Sequence, residues 1–463
     1  MTRAQVLTAD QMRAAEQALF DAGASVSELM EVAAGGAAEW IRRVAAGRSV
    51  TVLCGPGNNG GDGYVIARLL REAGNAVKIV APLKPATEAA QAARKAWDGP
   101  VASGDGRLRG EIFVDCLFGS GLARPLVAEH ALLLRDLAAR HRYRVAVDVP
   151  SGIASDTGAV LNERLPQYDL TLALGAWKFA HWRLPGRNLM GQKRLVRIGV
   201  GAVEGAAQLV YRPSLAPPAA DSHKYRRGLL GIVAGAMPGA SLLAAAAAQR
   251  AGAGYVKLFA RGEAAAPPPE LVVDTTPLSE ALSDERIAAV LIGPGLGRDG
   301  TAKAMLGEAM RRAPALLLDA DALMLLAPNM LAREVPMLAT PHDGELETLC
   351  RTFGVIADGR QARALALAKV TGMVVLAKGP DSIVAAPDGR LAFGTPAPSW
   401  LSVAGTGDVL AGIAASRMAT GRDPFTAACE ALWLHGEAAR RASPAFTPSQ
   451  LAERVSDALA ACL

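Results

Sequence analysis

Short β-rich runs alternate with helical patterns along nearly all of this chain, and that alternation limits its fold more than any other feature. In the first half, residues 50–54, 77–80, 112–116, 144–149, 170–174 and 195–198 read as strands, with helical patterns at 64–73 and 131–140. In the second half the strand candidates are 229–234, 255–259, 289–292, 315–318 and 374–377, with helices at 240–251, 301–311 and 362–371. Such repetition favours right-handed crossovers and a parallel sheet with helices on both faces. One segment breaks the rhythm. Residues 211–224 (YRPSLAPPAADSHK) carry Pro213, Pro217 and Pro218 among small and polar neighbours, as a linker does. The 463 residues also exceed the roughly 250–300 that one hydrophobic core serves. Two α/β domains are expected, 1–212 and 223–463, joined by a proline-rich linker at 213–222.

Composition narrows the class. Half of the chain (51%) is hydrophobic and 20% is charged, so both domains can build cores and the signature of disorder is absent. The net charge of +5 is carried largely by scattered arginine, and the densest basic run, His223 to Arg227, is short. No nucleic-acid stripe is expected from it. Five cysteines (Cys54, Cys116, Cys350, Cys429, Cys462) lack CxxC or metal-finger spacing and read as reduced thiols of a cytoplasmic protein. The first twenty residues lack the apolar stretch of a signal peptide, and no run nears the roughly 18 apolar residues of a membrane span.

The first chemical motif is GPGNNGGDG at 55–63, between a strand and a helix. Gly55, Gly57 and Gly60 formally match a dinucleotide-binding loop, in which backbone amides approach a pyrophosphate. Alone the match is weak, and a tight turn with left-handed asparagines is the competing reading. No acid ends the next strand to hold a ribose. Asn58, Asn59 and Asp62 crowd the run with oxygens that suit a hard cation or a polar ligand. Asp115 and Asp148 close two further strands, and ligands in open α/β sheets bind beyond the carboxyl ends. Singly, each acid is a helix cap or turn residue. Three on one rim would repel unless a cation or shared proton intervened.

GPGNNGGDGYVIARLL, VDCLFGSGL and AVDVPSGI, in this order, closely resemble the NAD(P)H-hydrate epimerase (YjeF N-terminal) family over roughly residues 8–198. The resemblance implies a Rossmann-like, three-layer parallel-sheet domain that interconverts the R and S hydrates of NADH and NADPH. It implies K⁺ held by Asn59, Asp115 and Ser151. It also implies substrate contacts from Asn58, Asn59, Gly60, Gly61 and Asp62, from Gly119, Ser120, Gly121, Leu122, Ala123, Arg124 and Pro125, and from Asp148. The hydrate hydroxyl sits on the carbon beside the ring nitrogen, so epimerisation needs proton handling there. Asp148 is the candidate base, with the cation setting its position and lowering its pKa.

In the second half, glycine and acid clusters follow strands at 292–297 and 378–382, another sits at a turn at 340–345, and Ala404-Gly-Thr-Gly-Asp408 opens a helix. Glycines before a helix N-terminus offer backbone amides to an anion, and an aspartate at its edge accepts a proton from an attacking hydroxyl. The bland alternatives are an N-cap for this turn and a satisfied structural histidine for His342. No P-loop occurs. With His223-Lys224 and MPGA at 237–240, these clusters resemble the ribokinase-like NAD(P)H-hydrate dehydratase (YjeF C-terminal) family over roughly 222–458. That resemblance implies phosphorylation of the hydrate hydroxyl by ADP, or ATP in some members, then loss of phosphate. It implies Asp408 as base and hydrate contacts from Ala240, Gly295, His342 and Asp408. Nucleotide contacts would come from Lys378, Gly379, Pro380, Asp381, Ser382 and Gly407, with Mg²⁺ on the phosphates. Tyr225, Ser382 and the 395–400 segment (TPAPSW) depart from the family pattern and bear on nucleotide preference.

The leading expectation is a bifunctional repair enzyme for NADHX and NADPHX, cytoplasmic and homo-oligomeric, without nucleic-acid or membrane partners. The competing readings are a ribokinase-type small-molecule kinase with a regulatory nucleotide-binding domain, and a non-enzymatic nucleotide sensor.

Overall fold

The computed structural model describes residues 5–104, 108–261 and 267–463. The chain forms two compact units, Met1–Ala206 and Ala207–Leu463. The contact boundary thus falls upstream of 213–222. Strand Ala207–Leu209 pairs in parallel with Leu391–Phe393, the Val210 amide donates to the Phe393 carbonyl at 2.8 Å, and the Leu215 amide donates to the Cys462 carbonyl at 2.9 Å. Residues 207–215 are therefore built into the second unit. The short strand Ala207–Leu209 finds a partner in Leu391–Phe393, which the nearby prolines conceal in the sequence.

The first unit holds a seven-stranded parallel sheet in the order Val101–Ala102, Val77–Val80, Val50–Cys54, Gly110–Cys116, His141–Val147, Leu170–Leu174, Gln192–Val196. Side chains alternate along each strand, so Val52 and Val114 enter one core while Leu53 and Phe113 enter the other. Helices Val26–Ala45 and Asn58–Glu72 pack on the first face and Ala128–Ala139 on the second, giving three layers. The glycine run at 58–63 is not a loop. It forms the first turns of helix Asn58–Glu72. Glycine disfavours helix by about 1 kcal/mol per residue, but tertiary contact overrides that. A Cβ on Gly63 would lie 2.8 Å from Cys54 Sγ and 2.9 Å from Cys116 Cβ, so only glycine lets this helix press onto the strands. Asn58 and Asp62, four apart, then share one helical face.

In the second unit seven parallel strands run in the order Val272–Asp274, Tyr255–Phe259, Leu229–Val233, Ile287–Ile292, Leu316–Leu318, Met337–Ala339, Val374–Ala377. The antiparallel pair Ile383–Ala385 and Leu391–Phe393 extends this sheet. Helices Pro238–Arg250, Thr406–Ala419 and Pro424–Arg441 bury their alanine-rich faces in its main core.

Candidate functional site

In the first unit the strand ends converge as expected, but on a partner the sequence did not reveal. Lys178, 1% exposed, lies just past strand Leu170–Leu174 and places Nζ 2.6 Å from Asp148 Oδ1. The Ser120 amide donates to Asp148 Oδ2 at 2.9 Å. Burial alone would raise the Asp148 pKa; the charge and hydrogen bond of Lys178, with Ser120, outweigh it and hold the carboxyl below its ordinary value. The lysine thus does what the cation was expected to do for Asp148. The backbone of Asp148 is itself unusual, with φ of +66°, a region that costs a non-glycine residue roughly 1–3 kcal/mol. His181 accepts the Lys178 amide on Nδ1 at 2.9 Å and donates from Nε2 to the Asp148 carbonyl at 2.8 Å. Burial first, then Lys178, push its pKa down to about 4, so the ring is neutral.

Asp62 behaves oppositely. Burial, then the nearby charges of Asp148 and Glu16, drive its pKa well above the usual carboxylate range. Glu16, also raised mainly by burial, lines with Asn58 and Asp62 a cavity of about 80 Å³ floored by Phe20, Leu29, Met30 and Leu174. Two neighbouring carboxyls pushed in opposite directions, one above and one below the usual range, are the usual sign of an acid–base pair.

The three residues expected at the cation fall into two adjoining groups. Ser151 donates from its amide (3.0 Å) and hydroxyl (2.7 Å) to Asp115, which also accepts from the Leu117 amide and, at 2.5 Å, from the Tyr168 hydroxyl. Asn59 stands with Asp148 instead: a Cβ on Gly119 would sit 2.9 Å from Asp148 Oδ2 and 3.2 Å from Asn59 Cγ. The Ser151 hydroxyl joins the groups by accepting the Phe118 amide at 2.9 Å. Both amide atoms of Asn59 are buried without a hydrogen-bond partner, and burial raises the Asp115 pKa despite four hydrogen bonds. An orphaned carbonyl oxygen and an undercompensated carboxylate suit a monovalent cation with oxygen ligands. Gly60 and Gly61 are packing residues, against Gly55 and against Met30 and Ala90. Gly121, Ala123, Arg124 and Pro125 form an exposed rim, and the Leu122 amide closes its turn on Gly119.

The second unit also builds a lysine–aspartate pair, but with a different aspartate. Lys378 Nζ lies 2.6 Å from Asp319 Oδ1, which also accepts the Thr340 hydroxyl at 2.7 Å. Although burial opposes it, Asp319 raises the Lys378 pKa, so the ammonium persists. The positive end of helix Thr406–Ala419 faces the same ammonium, since a Cβ on Gly407 would lie 3.6 Å from Lys378 Nζ. Among the described residues, Asp408, in that helix's first turn, has no hydrogen-bond or ion-pair partner. Burial and Asp319 raise its pKa to about 6, with Lys378 acting in the opposite sense.

Of the other expected residues, Ala240 and Gly295 meet: a Cβ on Gly295 would lie 3.1 Å from that of Ala240. His342 caps helix Asp343–Thr352, with Nδ1 accepting the Gly344 and Glu345 amides and its own amide donating to Glu345. The 378–382 loop is held by Arg360, which the sequence reading missed. Its guanidinium reaches the Lys378 carbonyl, Asp381 Oδ1 at 2.6 Å and Asp343 Oδ1 at 2.7 Å. Ser382 closes the loop by bonding Gly379. Pro380 lies within this loop. Residues 395–400 lead into the short helix Ser399–Leu401, and the Thr406 hydroxyl donates to the Leu401 carbonyl at 2.8 Å. Lys224 and Arg286 instead lie over the Tyr225 ring, just before strand Leu229–Val233. The strand-end rule that found Asp115 and Asp148 also locates Asp319, directly after Leu316–Leu318. Lys178 left only a faint trace, as a lone charge in an apolar run.

Two α/β units, each with a carboxylate–lysine pair beyond its strand ends and one with a helix N-terminus facing that lysine, give the chain the two candidate active sites of a two-domain α/β enzyme. The N-terminal region matches the family described as YjeF-related protein N-terminus over residues 26–180, and the C-terminal region matches the NAD(P)H-hydrate dehydratase family over 230–461. The chain is 34% identical to the bifunctional NAD(P)H-hydrate repair enzyme Nnr of Salinibacter ruber, over 96% of this chain and 93% of that one. It is 35% identical to that of Escherichia coli, over 93% and 88%. The solved ADP/ATP-dependent NAD(P)H-hydrate dehydratase of Bacillus subtilis is 27% identical over 54% of this chain and 95% of its own, with a TM-score of 0.46. This chain belongs to the family of bifunctional NAD(P)H-hydrate repair enzymes. Among the described residues no helix is long and apolar enough to cross a membrane.

Proposed function

We propose that the first unit interconverts the R and S hydrates of NADH and NADPH through Asp62 and Asp148, and that the second dehydrates the S form through Asp408. What supports this reading is the placement of the carboxyls: Asp148 lies 2.6 Å from the Lys178 ammonium and is held below the usual carboxylate range, Asp62 is buried nearby and pushed above that range, and Asp408 at the start of its helix is raised to about 6.

In the epimerase, protonated Asp62 gives its proton to the hydrate hydroxyl as the carbon–oxygen bond breaks. Water departs and the ring-nitrogen lone pair forms a C=N⁺ bond. Ionised Asp148 stabilises that cation, then takes the proton of a water adding to the other face. The released proton exchanges with solvent and Asp62 is reprotonated. K⁺ would be held by Asn59 Oδ1 with Asp115 and Ser151, and when bound supplies positive charge that offsets the buried Asp115 carboxylate.

In the dehydratase, Asp408 takes the proton of the hydrate hydroxyl as its oxygen attacks the terminal phosphorus of ADP, and AMP leaves. The phosphate ester then departs as inorganic phosphate with loss of a proton from the adjacent ring carbon, which restores the double bond. Lys378 and the start of helix Thr406–Ala419 receive the phosphates, and Arg360 shapes the nucleotide loop. Mg²⁺ would be held mainly by the phosphates, with Asp319 as a neighbouring carboxylate. Five free cysteines accord with a reducing, cytoplasmic setting.

The test incubates purified R-hydrate with and without ADP. Without ADP, R and S should equilibrate; with ADP, reduced nicotinamide and free phosphate should appear together. A phosphorylated product that accumulates would instead indicate a plain kinase.

A further inference from the structure

His181 stands apart from the residues that face substrate. It is fully buried, lies one residue past the end of the 26–180 family match, and has no part in the proton transfers above. It touches both halves of the Asp148–Lys178 pair, always through their main chains. The Lys178 amide meets Nδ1 and Nε2 meets the Asp148 carbonyl, so one neutral imidazole closes a ring: Asp148 carbonyl, His181, Lys178 amide, Lys178 Nζ, Asp148 Oδ1. The Asp148 carbonyl is the group that a φ of +66° re-aims. Left-handed backbone at a non-glycine residue persists only where surrounding contacts impose it. The Trp177 ring, 5.5 Å from that of His181 and edge-on to it, supports the imidazole laterally.

We propose that His181 is a positioning residue of the epimerase: it locks the left-handed turn at Asp148 and so keeps the carboxylate engaged with Lys178 and aimed at the hydrate. This rests on the assignment of epimerisation to the first unit. The lock requires one tautomer, with hydrogen on Nε2 and a lone pair on Nδ1. A charged imidazolium would lose the acceptor. The ionisable groups around it are Lys178 and Asp148, with Glu16 and Asp62 beyond them.

The experiment uses the full chain and three proteins: wild type, His181→Phe and His181→Gln. Phenylalanine keeps a ring but makes neither hydrogen bond; glutamine offers an amide donor and a carbonyl acceptor. R-to-S conversion is followed without ADP, and ADP-dependent dehydration of pure S-hydrate reports on the intact second unit. The expected result for His181→Phe is a fall in epimerase kcat on the order of 100-fold, as for a reacting group displaced by about 1 Å. Its KM should stay within about twofold, and the acid limb of its pH profile should move upward as Asp148 loses Lys178. His181→Gln should recover most of kcat. Equal losses in both variants, or unchanged kcat and pH profile in His181→Phe, would overturn the proposal. A wild type that fails to interconvert the hydrates would overturn the underlying assignment instead. Should His181→Phe unfold the first unit, His181→Gln decides alone: near-wild-type kcat and pH profile support the lock, and a folded but slow enzyme refutes it.

Discussion

Both units place a lysine 2.6 Å from an aspartate beyond the carboxyl ends of a parallel sheet, yet they use the pair differently. In the first, the paired residue is Asp148, the carboxylate assigned to the chemistry, and burial pushes its neighbour Asp62 above the usual carboxylate range. In the second, the lysine is taken by Asp319, and among the described residues the reactive Asp408 has no hydrogen-bond or ion-pair partner. Pairing therefore sets the working pH of each site. The paired carboxylate is held below the usual range, whereas half-buried Asp408 titrates at about 6. The same two residue types give one site a fixed negative charge and the other a tunable base.

The sharpest way to break this contrast is to remove each carboxylate in turn. Asp408→Ala should lower S-hydrate dehydration by about 10²–10⁴-fold while leaving R–S interconversion intact. Asp148→Asn should do the reverse. Loss of both activities in either variant would show that the sites are not separate. Removing a lysine probes pairing itself. Lys178→Met leaves a buried carboxylate uncompensated, which costs about 3–5 kcal/mol. Thermal unfolding should register the loss, and the acid limb of epimerase activity should rise.

A smaller effect comes from pH. The Asp408 base form is present above its pKa of about 6 and lost below it. Dehydration should therefore fall about tenfold for each pH unit below about 5.5, since occupancy of the base then drops tenfold per unit. Asp148 lies on the low side of the carboxylate range, so epimerisation should be flat through the same window. Parallel pH profiles would refute the contrast. The mildest test is Arg360→Lys. Lysine cannot fork between the Lys378 carbonyl and Asp381, so KM for ADP should rise about 3–10-fold with kcat kept. Initial rates at varied ADP settle this.

Most catalytic candidates were legible because strand-end acids and glycine-flanked helix starts are local patterns. Asp148 and Asp408 each stand within a few residues of the signal that marks them. The pairings do not: Lys178 is 30 residues from Asp148, and Lys378, itself marked by its glycine loop, finds Asp319 across 59 residues. Strands Met337–Ala339, Ile383–Ala385 and Leu391–Phe393 escaped because three residues are too few for a period to show. The 58–63 glycines were misread as a loop because their helix depends on close contact with Cys54 and Cys116, which no propensity encodes.

The cores on the two faces of the first unit's sheet are drawn from residues before Ala207, and the main core of the second unit from residues after it. A substitution that loosens one core is therefore expected to damage the activity of its own unit first. A cell with a failing first core would still rescue S-hydrate but would accumulate the R form; a failing second core would leave both epimers at equilibrium. The stereochemical ratio of the surviving damage thus records which half of the protein gave way.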